Sequence, residues 1–140
     1  MIDVKIKMVE GGIKPAYQRN GDCCLDCYSR ENKTIFVGSR DQVALGFCLE
    51  MPSEYEAQIR PRSGLSKKGI DISFGTVDEN YRGELQATVY NNSVEDFKIE
   101  KGDRICQLAI RQAPKINLIS VDELSETDRG SKGWGSSGLK

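Results

Sequence analysis

No histidine occurs among the 140 residues. That absence removes Ser-His-Asp and Cys-His nucleophile machinery, the H-E-x-x-H zinc site and imidazole as a general base. Acid–base work therefore falls to carboxylates or a bound metal. Equally missing is any apolar run near the ~20 residues that a membrane-spanning helix needs. The opening M-I-D-V-K-I-K lacks the apolar centre of a signal peptide, so a cytoplasmic protein with no membrane partner is expected. Neither charge is in excess: 20 Lys+Arg stand against 21 Asp+Glu, a formal net charge of −1. Such a balance excludes a broad basic footprint for nucleic acid and an acidic solvating tail, and any anion must be held locally. The length suits one compact domain and is too short for two.

Five cysteines are present. Cys24 and Cys27 make a C-x-x-C, which alone would fit a redox pair or half of a zinc site. No second pair or H-x-H follows at zinc spacing, Cys23 crowds the first, and Cys48 and Cys106 stand singly in apolar stretches. Small buried hydrophobes in a reducing compartment explain them better.

Alternation dominates the chain. Ile2, Val4, Ile6 and Met8 face one way while Asp3, Lys5 and Lys7 face the other, as in a half-buried strand. Further strands are expected over 34–37, 43–51, 55–60, 70–73, 84–91, 104–110 and 116–121, separated by turn signals such as Asn20-Gly21-Asp22 and Lys101-Gly102-Asp103. No segment keeps apolar residues at helical spacing over three turns, so helix is confined to a turn after Ser63 and another near 122–125. The pattern predicts an all-β sandwich or barrel of the jelly-roll kind. From Arg129 onward Gly, Ser and Lys surround one tryptophan, a composition that builds no core.

Three segments mix glycine, hydroxyls and a cation, the materials of a phosphate cradle: 62–66, 101–107 and 129–138. Singly, the first two also fit ordinary turns, and the third a flexible end. A lone tryptophan serves no linker, however, whereas a planar ligand would give it something to stack on. A fourth segment, 75–84, brackets an acidic, aromatic hairpin with Gly75 and Gly83. There Asp78 can take a proton from water, Tyr81 can pack against a sugar, and glycine lets the main chain approach a base edge. The fifth, 22–27, offers carboxylates that can face a divalent ion through its waters.

Taken in order, the segments 22–27, 62–65, 75–83, 102–107 and 129–138 resemble the five motifs of the homotrimeric dUTPase family. P-R-S-G-L at 61–65, G-T-V-D-E-N-Y-R-G-E at 75–84 and K-G-D-R-I-C-Q-L at 101–108 follow the family pattern closely, and the resemblance spans essentially the whole chain. It implies a distorted jelly-roll or β-clip subunit over 1–125 and a glycine-rich lid over 126–140. It also implies a trimer whose active sites lie at subunit junctions. The implied activity is dUTP plus water giving dUMP and pyrophosphate, with Mg²⁺ as cofactor, which keeps uracil out of DNA and supplies dUMP for thymidylate synthesis.

Residue by residue, the resemblance implies that Asp78 activates the water that attacks the α-phosphorus. Ser63, Gly64 and Gln107 match phosphate-contacting positions, and Arg62 beside them would meet either phosphate or a subunit interface. Tyr81 would lie under the deoxyribose, Gly75 and Val77 would read uracil with main-chain groups, and Asp26 would reach magnesium through water. Arg129, Trp134, Gly135, Ser136 and Ser137 would belong to the lid. Departures from the pattern are Trp134 where phenylalanine is usual, Lys132 where glycine is usual, and Cys24 in place of a small glycine. The related dCTP deaminases share the fold but attack the base, and the hairpin with Asp78 and the complete tail separate this chain from them. A regulatory protein partner is a further reading, for which the sequence offers no separate module.

Overall fold

The computed structural model describes residues 2–131 and 133. In chain order its elements are β1 (Lys5–Met8), β2 (Leu25–Tyr28), β3 (Lys33–Ile35), β4 (Arg40–Ala44), β5 (Phe47–Glu50), β6 (Tyr55–Arg60), α1 (Ser63–Ser66), β7 (Ile70–Ile72), β8 (Gly75–Val77), β9 (Gln86–Asn91), β10 (Phe97–Ile99) and β11 (Arg104–Gln112). All strand pairs are antiparallel. One sheet runs β2-β11-β6-β8 and a second β4-β9-β7, with β1-β5 and β10-β3 as two-stranded flanks. This is the nearly all-β fold that the alternation predicts, with α1 as the expected helical turn after Ser63. No helix among the described residues is long and apolar enough to cross a membrane.

The strand faces explain the core. Along β9 every second residue is buried, Ala87, Val89 and Asn91, and along β6 Ala57 and Ile59 turn inward. They meet Phe47, Leu45, Ile35, Leu85, Ile99 and Ile105 in one continuous cluster. Buried Asn91 keeps its polar atoms satisfied: its amide donates to the carbonyls of Ile35 and Glu95, and Oδ1 accepts from Ser93. All five cysteines are free thiols. Cys27 and Cys106 are register partners with no exposed surface, and their contact together with burial pushes the Cys27 thiol well above its ordinary range. Such thiols behave as small hydrophobes. Cys23, in contrast, is exposed.

Several expectations need correction. The single strand over 43–51 is two strands, because Gly46 adopts φ +80 between them. Gly46 also packs main chain to main chain on Gly12: a Cβ at Gly46 would lie 2.4 Å from the Gly12 Cα, and one at Gly12 would lie 2.2 Å from the Gly46 carbonyl oxygen. β2 forms where no strand is expected, and β8 and β10 are too short for periodicity to reveal. Finally, 116–121 is no strand and 122–125 no helix. Ile116 and Leu118 are 78% and 86% exposed, and the segment pairs with no strand among the described residues, so its apolar side chains have no ladder to hold them in a strand.

Candidate active site

Two groups of site residues are carried by the β2-β11-β6-β8 sheet, one at its β8 edge and one on β2 and β11. The first is the hairpin that leaves β8. Val77 pairs with Ala57 and Gly75 with Ile59, so β8 holds the hairpin's first leg against β6. Asp78 is the next residue, exposed, and the Tyr81 N–H donates to its carbonyl at 3.1 Å to close the turn. The Tyr81 ring folds back over Gly83, and its hydroxyl donates to the Glu84 carbonyl at 3.3 Å. A Cβ on Gly83 would come within 2.3 Å of that hydroxyl oxygen, so the missing side chain makes room for the ring. Gly75, Val77, Asp78 and Tyr81 thus line one open cavity of about 450 Å³, closed on another side by Ile59 and Gln86.

The return leg is anchored too. Glu84 forms a two-point pair with Arg30, 2.7 Å from Nε to Oε1 and 3.1 Å from Nη2 to Oε2, and its Oε1 also accepts the Gly46 N–H at 2.9 Å. Glu79 accepts the Glu54 N–H at 2.5 Å, and Lys115 lies 3.5 Å from it. Together these hold the Glu79 carboxyl below its ordinary range, with the backbone hydrogen bond from Glu54 as the main cause.

The second group centres on Asp26, which is 5% exposed. It pairs in register with Gln107, whose side-chain amide donates to Oδ1 at 3.2 Å. Arg104 donates to Oδ2 at 3.1 Å, and Arg62 Nε lies 3.5 Å from Oδ1. Arg62 also donates to the Arg104 carbonyl at 2.6 Å. Ser63 and Gly64 open α1 alongside, both exposed. The internal bonding of α1 begins with the Leu65 N–H donating to the Arg62 carbonyl, which leaves the Ser63 and Gly64 amides outside it.

Arg104, Glu79 and Glu84 are site residues that sequence reasoning did not single out. Arg104 and Gln107 are three apart and would face opposite sides of a regular strand. The register shift between Arg104 and Cys106 brings both to Asp26. Nothing in the spacing announces that irregularity. Glu79 and Glu84 read as solvated turn charges until their partners, distant in sequence, are seen.

The two groups do not converge within one chain. Asp78 stands level with Glu56, whereas Gln107 stands level with Arg60, so they lie about 13 Å apart along β6 and two strand spacings, about 10 Å, across it. Arg129 stands in the described tail, inside the turn that the Gly130 N–H closes by donating to the Thr127 carbonyl at 3.0 Å. Trp134, Gly135, Ser136 and Ser137 lie outside the described residues, as does Lys132.

The expected role of Asp26 toward magnesium is one through water, not direct ligation. Both of its oxygens are engaged, and two guanidinium groups stand beside it. Among the described residues no three acidic, cysteine or histidine side chains gather to hold a metal. This donor set does not fit an ion ligated directly by the protein, whereas each Asp26 oxygen keeps a second lone pair for a contact through water. What the set offers is two guanidinium groups beside the unbonded first amides of α1, donors of the kind that suit an anion.

A family model described as dUTPase matches residues 11–138 of the chain. A protein of Clostridium acetobutylicum named deoxyuridine 5'-triphosphate nucleotidohydrolase is 44% identical over 144 residues, covering 100% of this chain and 99% of its own. One of the same name from Alkaliphilus metalliredigens is 41% identical, with 100% of both chains covered. Among solved structures, the dUTPase of Staphylococcus bacteriophage 80alpha with dUPNHPP superposes with a TM-score of 0.92 at 24% identity over 98% of this chain and 99% of that one. A mutant dUTPase of S. aureus phage phi11, described with a structural Mg(II) ion, gives 0.82 at 20% identity over 89% of this chain and 99% of that one.

Proposed function

Since the chain belongs to the dUTPase family, we propose that it is a dUTP diphosphatase that takes dUTP, as its magnesium complex, to dUMP and pyrophosphate. The carrying observation is the cavity walled by the glycine-bracketed hairpin, with Asp78 at its edge and Tyr81 laid back over Gly83. Uracil enters that cavity and is read by the main chain of Gly75 and Val77. Cytosine presents the opposite donor and acceptor pattern there, and each buried polar group left unpaired costs about 1–3 kcal/mol. The Tyr81 ring packs under the deoxyribose, where a 2'-hydroxyl would clash.

Asp78 orients a water for in-line attack on the α-phosphorus and takes its proton as the new P–O bond forms. The bond from that phosphorus to the bridging oxygen breaks, and pyrophosphate leaves with the electron pair. The ion carried on the phosphates screens their charge, and the protein need not hold it. Ser63, Gly64, Gln107 and Arg62 bind phosphate oxygens, with Asp26 serving to aim the guanidinium groups and the Gln107 amide.

Because Asp78 and the Asp26 group stand far apart on one chain, they meet on one nucleotide only across a subunit boundary. A homotrimer supplies that boundary. Its support in this chain is the arm after Gln112, where Ile116, Leu118, Ile119 and Leu124 lie exposed and a neighbouring copy would cover them. Arg129, Trp134, Gly135, Ser136 and Ser137 then close over the nucleotide from a third copy and exclude water. In the cell this activity keeps uracil out of DNA and supplies dUMP.

The test is pyrophosphate release from dUTP, dCTP, dTTP and UTP, with and without Mg²⁺, beside a solution mass measurement. Strong preference for dUTP by a trimer supports the proposal. A monomer of full activity, or an Asp78→Asn trimer that keeps most of its kcat, would sink it, because general-base catalysis is worth about 10²- to 10⁴-fold.

A further inference from the structure

Asp78 is placed by little of its own. It lies one residue beyond the last β6–β8 pair, and its carboxylate makes no hydrogen bond among the described residues. Its position must therefore be set by its neighbours in the turn. The next residue, Glu79, turns away from the cavity and reaches the start of β6, where its Oε2 accepts the Glu54 N–H at 2.5 Å. Ser53 reaches the same carboxylate. Glu54 is the one described non-glycine residue with positive φ, at 64°. A side-chain-bearing residue pays for that conformation, and it persists where surrounding bonds over-determine it. Here two bonds do so, the N–H to Glu79 and the Glu54 carbonyl accepting the Ala113 N–H at 2.7 Å. Arg82 completes the knot by donating to the Glu79 carbonyl at 2.7 Å.

From this geometry we infer that Glu79 is a positioning residue for hydrolysis. By gripping the 53–54 turn it fixes the height of Asp78 at the cavity edge. The inference rests on the reading of Asp78 as the base. Glu54 and Glu79 also hold Ala113 and Lys115, where the C-terminal arm begins, so the course of the arm and the placement of the base share one anchor.

Three substitutions test this in the full-length assembly. Glu79→Asp keeps the charge but shortens the reach by one methylene, and Glu79→Ala removes the acceptor. Both lower kcat by about ten- to a hundredfold while KM for dUTP stays near wild type, because a misplaced base costs rate and leaves the base and sugar contacts intact. Glu79→Gln retains an oxygen for the Glu54 N–H and restores most of kcat. If Glu79→Ala does not fold, Glu79→Asp and Glu79→Gln carry the comparison. Unchanged kcat in Glu79→Asp beside an inactive Asp78→Asn overturns this inference alone, as does a loss confined to KM. An active Asp78→Asn overturns both this inference and the reading beneath it.

Discussion

The carboxylate of Asp26 and the side-chain amide of Gln107 meet at 3.2 Å across β2 and β11, with Arg104 on the other carboxylate oxygen. A buried acid with cationic neighbours organises them more than it acts by itself. Asp26→Ala therefore releases two guanidinium groups and one amide together. Lost hydrogen bonds to a charged group predict about 1.5–3 kcal/mol less stability by urea denaturation, toward the low end because Arg104 is partly exposed to solvent. KM for dUTP rises with it. Wild-type stability and KM would show that the cluster organises nothing.

Glu54 in the left-handed region predicts a gain from glycine. The conformation costs a side-chain-bearing residue about 1–2 kcal/mol, and glycine gives back about 0.5–1 kcal/mol in unfolded-state entropy. Glu54→Gly should thus stabilise by up to about 1 kcal/mol, read as a higher denaturation midpoint. Glu54→Ala, which keeps the strain, should show no such gain.

Gly83 has an ordinary φ, so alanine there meets no backbone penalty and acts only through the Tyr81 ring it would strike. We expect Gly83→Ala to fold normally while its preference for dUTP over UTP falls about tenfold, the lower range for losing one steric discrimination. Comparing kcat/KM for the two nucleotides decides it. Unchanged preference would mean that the ring does not guard the sugar.

Acid should loosen the hairpin. Glu79 has a folded pKa below its ordinary value, so its bonds contribute stability in full above about pH 4.3 and lose it as the pH falls through the folded value. Glu79→Gln removes that titration. The difference in stability between the two proteins should therefore shrink as pH drops below that point, measured by denaturation midpoints across the acid range. A constant difference would show that the carboxylate is equally bonded in both charge states.

The single tryptophan gives an optical test of the lid. Adding a non-hydrolysable dUTP analogue should change Trp134 fluorescence as the base stacks on it. A silent titration under saturating analogue would remove Trp134 from the site.

How much of the molecule is legible in the chain depends on the range of the interaction that decides each feature. Tyr55–Arg60 is readable because Ala57 and Ile59 alternate with polar neighbours and are buried as that pattern demands. The hairpin is readable because two glycines mark its ends. The residues 116–121 are apolar enough to read as a strand and form none, since a strand depends on a partner that local pattern does not encode. Arg104 is hidden from local pattern because a register shift, set by β2 opposite, decides which way it faces. Glu79 and Glu84 have partners 25 and 38 residues away in sequence, and no local spacing reveals them.

The touching main chains of Gly12 and Gly46 carry a consequence for any library of variants. Each position is closed to substitution by the other's backbone, and Gly46 also by its own torsion, so relaxing one site cannot rescue the other. In a saturation screen both columns should come out empty. That blank pair would map, without any ligand, the seam on which the Arg30 and Glu84 brace of the hairpin rests.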